Sequence, residues 1–256
     1  MIPYVKVAGI WVPCQPWVKN GGVWKRVVSA VRVAGVWQSQ EIFNTDFSEY
    51  TTGVAPADWT SQWTAGATVA VQASTGSISG KALRITKTAG TRFGISWDRV
   101  PAAQDVEILL RCRAIEAWST TQNLIGATIR GSGAVGAENM FRAVNDSGPN
   151  TGTKMQTRFQ KYNAGTLGQP GTPNNIASPT LAVNDWLWLR FRGVGTSFSR
   201  RTWHDGAAEP GTWDETVTDA TLNVAGWTGL SQGNDNPDTE VDFFSVAFNG
   251  KTALGP

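Results

Sequence analysis

The feature that most constrains this chain is a thirteen-residue period at its N-terminus. Tryptophan falls at Trp11, Trp24 and Trp37, and each is preceded at fixed offsets by a valine, a base, a glycine and an aliphatic residue. The units read Val5-Lys6-Val7-Ala8-Gly9-Ile10-Trp11, Val18-Lys19-Asn20-Gly21-Gly22-Val23-Trp24 and Val31-Arg32-Val33-Ala34-Gly35-Val36-Trp37. A short β-prone run, a two-residue turn ending in glycine and a second run containing tryptophan make a minimal β-hairpin. Three hairpins are therefore predicted within residues 1–40, with Asn20-Gly21-Gly22 the strongest turn signal. A lone two-stranded hairpin is marginal in water, so each unit must bury a face against something else. The tryptophans either form a small core within one chain, pack on the following domain, or assemble with copies from neighbouring chains into a prism or collar.

Charge marks where this module ends. Residues 1–40 hold Lys6, Lys19, Lys25, Arg26 and Arg32 and no acidic residue, whereas the remainder carries 17 basic and 20 acidic side chains. The overall charge of +2 thus conceals a basic N-terminal module joined near residue 40 to a slightly acidic domain. No window approaches a membrane-spanning apolar run, and no basic stretch precedes a short apolar one at the N-terminus. This predicts a soluble protein with no encoded secretion route. Cys14 and Cys112 fit neither a disulfide framework nor a metal or redox spacing.

From Glu41 onward no helical period is sustained, and short alternating runs recur between Gly, Asn, Asp and Pro. Strands are predicted over 68–73, 82–87, 92–98, 106–115, 123–130, 139–144, 154–162, 186–192, 197–203, 225–232 and 240–248. About a dozen strands in residues 41–256 suit an all-β, antiparallel jelly-roll sandwich. The Pro-rich stretch from Gly165 to Pro179 reads as a surface loop. Val106, Ile108, Leu110, Cys112 and Ala114 form an every-second-residue apolar row, which predicts a buried Cys112 thiol and places Arg111 and Arg113 on the opposite face. Around residue 189 the same alternation sends Leu187, Leu189 and Phe191 to the core and Trp186, Trp188, Arg190 and Arg192 to the other side. If the two strands share a sheet, an arginine and tryptophan surface results. It would either stack on sugar rings and pair with acidic or hydroxylated substituents, or pack under a loop or at a subunit contact.

Catalytic patterns are weak. The single histidine, His204, precedes Asp205, but adjacent strand residues point to opposite faces and no glycine-framed serine accompanies them, so a turn role is expected. One histidine and two distant cysteines cannot supply a zinc set, and Asp46 with Asp242 is a weak calcium signal. Glu240-Val241-Asp242 begins like the catalytic strand of jelly-roll glucanases, but Phe244 and Ser245 stand where the second glutamate belongs. Asp105-Val106-Glu107 fits no better pattern. Neither hydrolysis, a cofactor nor nucleic-acid binding is expected.

Together these residues resemble a known group. Phe43-Asn44-Thr45-Asp46-Phe47-Ser48-Glu49-Tyr50, with Pro56-Ala57-Asp58-Trp59, looks like the entry of concanavalin-like or laminin-G-like jelly rolls of bacteriophage structural proteins, and 241–250 resembles their last strand. Trp203 to Trp213, spaced Trp-x-Asp-Gly-x-x-Glu-Pro-x-x-Trp, matches a segment of such domains in which the tryptophans anchor a loop. The Val-Lys-x-x-Gly-x-Trp units are similar to attachment stretches of phage tail and fibre proteins. The resemblance implies a virion appendage, often trimeric and released by lysis. Residues 1–40, through Trp11, Trp24, Trp37, Lys6, Lys19 and Arg32, would dock onto other virion proteins, while residues 41–256 contact host surface glycan. A head fibre or capsid decoration protein, a polysaccharide depolymerase and a ligand-free spacer are the alternatives.

Overall fold

The computed structural model describes residues 4–7, 10–13, 17–20, 23–26, 30–33, 36–39, 41–63, 67–87, 92–117, 124–146, 156–172, 174–175, 182–233 and 237–256. Through residue 39 the description is of the backbone. Six strands pair there as three two-stranded hairpins: β1 (Tyr4–Val7) with β2 (Ile10–Pro13), β3 (Trp17–Asn20) with β4 (Val23–Arg26), and β5 (Ala30–Val33) with β6 (Val36–Ser39). The sequence period becomes a period in register. Lys6 stands opposite Trp11, Lys19 opposite Trp24 and Arg32 opposite Trp37, one step from the innermost pairs Val7–Ile10, Asn20–Val23 and Val33–Val36.

Two antiparallel sheets form the sandwich. The first is built from β7 (Ile42–Thr45), β9 (Ala67–Ala73), β10 (Lys81–Lys87), β12 (Val106–Ala114), β18 (Leu187–Val194), β19 (Ser197–His204), β20 (Glu215–Thr218) and β22 (Thr239–Phe248). Its order is β20-β19-β18-β12-β22-β10-β9, and β7 pairs with the C-terminal half of the edge of β22 that β10 leaves free. The second sheet comprises β8 (Trp59–Trp63), β11 (Phe93–Trp97), β13 (Gly126–Ser132), β14 (Asn139–Asp146), β15 (Gln156–Asn163), β16 (Thr166–Gly168), β17 (Asn174–Asn175) and β21 (Trp227–Gln232). Its order is β16-β15-β14-β13-β21-β11-β8, with β17 on the outer edge of β15.

The core lies between the sheets because alternation sends one side chain in two inward. Ile108, Leu110 and Cys112 of β12 and Leu189 and Phe191 of β18 are fully buried, as the every-second-residue rows predict. Phe198 of the first sheet stacks on Phe141 of the second at 3.9 Å, and Trp59, Trp97 and Phe244 form a mutually contacting cluster. Burial also pushes the Cys112 thiol up to about 12, which leaves it unreactive at neutral pH.

Three differences from the sequence reading have local causes. The predicted surface loop from 165 to 179 contains the short strands β16 and β17, which complete the edge of β15; three and two residues are too few to register as alternation. The strands β7, β8 and β20 were not expected, since each is four or five residues long and half polar. In β22 the register slips: Arg111 faces Phe243 but Cys112 faces Val241, so Asp242 is an extra, bulged residue. The bulge lets Val241 and Phe244, three apart, both enter the core, while Phe243 turns outward onto Trp188.

Candidate functional site

The outer face of the first sheet carries the residues singled out by alternation. One cross-strand row runs Phe243, Arg111, Trp188, Trp203 over four strands; the next begins with Leu109 and Arg190, followed by Arg201, and a third pairs Glu107 with Arg192. Trp188 and Trp203 stack with planes 11° apart and centroids 6.1 Å apart, above the edge of Phe243. Trp186, just ahead of β18, has Arg111 and Arg113 over its ring at 4.5 and 4.4 Å. The structure thus gathers Trp186, Trp188, Arg111, Arg113, Arg190 and Arg192 on one face.

It also commits their charges. Asp205 grips Arg111 with both oxygens, to Nε at 2.9 Å and Nη2 at 2.7 Å, and Asp242 takes Nη1. Arg113 donates from Nε to Glu240 Oε2 at 2.9 Å, and Arg84 binds the other oxygen at 2.6 Å. Arg190 lies between Glu107 and Glu209, each at 2.5 Å, and Arg192 reaches the second oxygen of Glu107 at 2.6 Å. Each of these guanidinium groups is already paired with a protein carboxylate.

The acidic partners escaped the sequence reading because they lie far along the chain. Asp205 and Glu209 belong to the Trp203–Trp213 segment, where the tryptophan spacing was noted but the acids were given no role. In that segment Trp203 stacks on Trp188, Trp213 lies under Arg201, and Asp205 and Glu209 tie down the turn between them. His204 closes that turn, its carbonyl accepting from Ala207 N at 3.1 Å. Glu240 and Asp242 are not arranged as a hydrolytic pair, since each is fully buried against arginine.

The electrostatics follow from these contacts. Hydrogen bonds from Arg111 hold the Asp205 carboxyl below its usual range. Burial raises Glu240, yet hydrogen bonds from Ser74, Arg84 and Arg113 overcome it and leave the group low. Asp242 goes the other way: burial pushes it up to about 6 against the pull of Arg111. Asp46 spends its carboxylate on the Ser48 amide and hydroxyl, and no group of three metal-ligating side chains occurs among the described residues.

On this face Trp188 is half-buried, and Asp205, whose side chain is 41% exposed, accepts from Trp188 Nε1 at 2.9 Å, while Arg192 and Glu209 are also partly exposed. An indole beside an ionised carboxylate is a site for a group with one apolar face and a hydroxylated edge. The other predicted set, Trp11, Trp24, Trp37, Lys6, Lys19 and Arg32, occupies opposed hairpin positions, and its side chains lie outside the described residues.

No known sequence family matches this chain, and no curated protein does. Solved structures match in architecture. A carbohydrate esterase, vb_24B_21, from the Shiga toxin-encoding bacteriophage phi24B is 17% identical over 75% of this chain and 90% of its own, with a TM-score of 0.46. Xylan β-1,4-xylosidase from Bacillus halodurans C-125 is 12% identical over 91% of this chain, which spans 46% of that enzyme, with a TM-score of 0.50. The exoplasmic/lumenal domain of VIP36, in a form bound to Ca2+ and Man3GlcNAc, is 11% identical over 78% of this chain and 86% of its own, with a TM-score of 0.46. At these identities the likeness concerns the fold. The chain is an antiparallel β-sandwich of the jelly-roll kind, preceded by β-hairpins.

Proposed function

We propose that this protein is a non-enzymatic adhesion component of a bacteriophage virion, of the tail-fibre or receptor-binding kind. In this reading residues 1–40 attach the chain to the particle, and the sandwich contacts host surface carbohydrate. The observation that carries the sugar contact is the pairing of half-buried Trp188 with exposed Asp205 on a face whose arginines are already neutralised. Such a site favours a neutral pyranose: its C–H face stacks on the indole, and its hydroxyls donate to the carboxylate. The attachment role is supported by three hairpins in one register, each opposing a base to a tryptophan. Several copies, with a trimer favoured, would strengthen weak sugar contacts by avidity.

Glycan-array binding of the full chain tests the sugar reading. Trp188→Ala should lower binding to neutral host glycans by about tenfold, the loss of one aromatic contact of roughly 1.4 kcal/mol. Unchanged binding with an unchanged melting temperature refutes the site. Labelling the protein on intact particles separates a tail location from the head-fibre or capsid-decoration alternative. Sustained release of reducing ends from host capsule would replace adhesion with depolymerisation, a reading that Glu240 and Asp242, both bound to arginine, serve poorly.

A further inference from the structure

The arrangement at Trp188 occurs a second time on the same face. Arg111 stands over the Trp188 ring at 5.9 Å and binds Asp205, whose side chain is 41% exposed. Arg201 stands over the half-buried ring of Trp213 at 4.6 Å and binds Glu209, whose side chain is 30% exposed. Each place therefore holds an indole, a guanidinium lying on it, and a partly exposed carboxylate gripped by that guanidinium. Both carboxylates are kept ionised. Hydrogen bonds from Arg111 hold Asp205 low, and at Glu209 the upward push of burial is overcome by hydrogen bonds and charge from Arg190 and Arg201.

Both places are presented by one firmly held segment. Between Trp203 and Trp213 the chain is fixed by the stacking of Trp203 on Trp188 and by the pairing of Glu209 with Arg190, and just beyond it Asp214 N donates to Arg200 O at 2.9 Å. Trp188 stands on β18, Trp203 and Arg201 on its neighbour β19, and Trp213 just ahead of β20, the next strand out. Neighbouring strands lie about 4.8 Å apart, so two spacings set the indoles on the order of 10 Å from each other. One sugar ring cannot cover both, whereas separate rings of one chain can.

We infer that Trp188 with Asp205 and Trp213 with Glu209 are two subsites for a single extended, linear, neutral glycan. The inference rests on the neutral-sugar reading of Trp188 and adds the length and shape of what is bound. At each subsite the C–H face of a ring stacks on the indole while hydroxyls donate to the carboxylate. An acidic chain is disfavoured, because the group beside each indole is itself an anion. β-1,4-linked pyranoses run as a flat ribbon that stays on a sheet face, whereas α-1,4-linked ones coil away from it.

Calorimetry of the full chain against β-1,4-linked oligomers of glucose, mannose, xylose and N-acetylglucosamine, from two rings to six, tests it, with α-1,4-linked glucose oligomers of the same lengths as the coiled control. In a β-linked series that binds, affinity should rise at least about tenfold from the shortest to the longest member, the worth of a second aromatic contact, and the α-linked series should show no such rise. This comparison is made on the parent and needs no variant. Trp213→Ala should remove the rise while disaccharide binding persists, and Trp213→Phe, which keeps a ring, should retain most of it, with melting temperatures checking that both variants fold. Affinity independent of length, an equal rise in the α-linked series, or a rise that survives Trp213→Ala overturns the inference and leaves the Trp188 reading standing. Absence of binding in every series refutes that reading and the inference with it.

Discussion

Replacing Glu107 by glutamine should be among the most damaging single-atom changes in the sandwich. Glu107 is 2% exposed on β12, and one carboxylate serves three partners: Arg190 at 2.5 Å, Arg192 at 2.6 Å, and the Ala253 amide at 3.1 Å. Arg190, 4% exposed, also donates to the Ala253 carbonyl at 2.8 Å, so the pair pins the C-terminal segment onto the sheet. Glutamine keeps one acceptor for Arg190 but turns an amide toward Arg192 Nε, a donor against a donor. It leaves a buried guanidinium whose remaining counterion, Glu209, is 30% exposed. Breaking a buried pair by removing one partner costs about 3–5 kcal/mol, and the surviving Glu209 contact puts this case near 3 kcal/mol. For a domain of this size that is a fall in melting temperature of roughly 6–12 °C. Arg192→Met removes only the partner that is 32% exposed and should cost below about 1 kcal/mol. Urea and thermal unfolding followed by tryptophan fluorescence give both numbers, and amide exchange at Ala253 should accelerate in the glutamine variant alone. A Glu107→Gln protein within 1 kcal/mol of the parent, or one matched by Arg192→Met, would refute the claim that this face is held by its buried charges.

Other consequences are equally open to measurement. Asp242 titrates near 6 when folded and near 3.8 when unfolded, so the folded state binds the extra proton. Its contribution of up to about 3 kcal/mol is present below pH 3.8 and lost as pH rises through 6. Parent stability relative to Asp242→Asn should therefore decline across that window, and a flat difference would contradict it. Gly229→Ala drives a Cβ into the backbone of β11, 2.0 Å from Ile95 O and 2.9 Å from Ser96 Cα. It should cost more than the ~1–3 kcal/mol of ordinary overpacking, whereas Gly211→Ala, with open space around it, should stay within about 0.5 kcal/mol in the same melts.

The sequence by itself determined the periodicities. Alternation from Val106 to Ala114 and around Leu189 set which side chains enter the core, because in a strand that choice repeats every two residues and needs no knowledge of neighbours. The thirteen-residue period likewise set three hairpins in one register, since a two-residue turn fixes which residues oppose each other. Strand order was not readable, and with it went the meaning of the arginine and tryptophan face. Arg111 meets Asp242 across 131 positions and Arg190 meets Glu107 across 83, contacts that exist only because β12 lies between β18 and β22. The bulge at Asp242 was hidden for the same reason, as it is defined only against the partner strand. Only the tertiary arrangement decided that seven arginines of the first sheet, Arg84, Arg111, Arg113, Arg190, Arg192, Arg200 and Arg201, meet carboxylates, because charge balance is settled by which strands become neighbours.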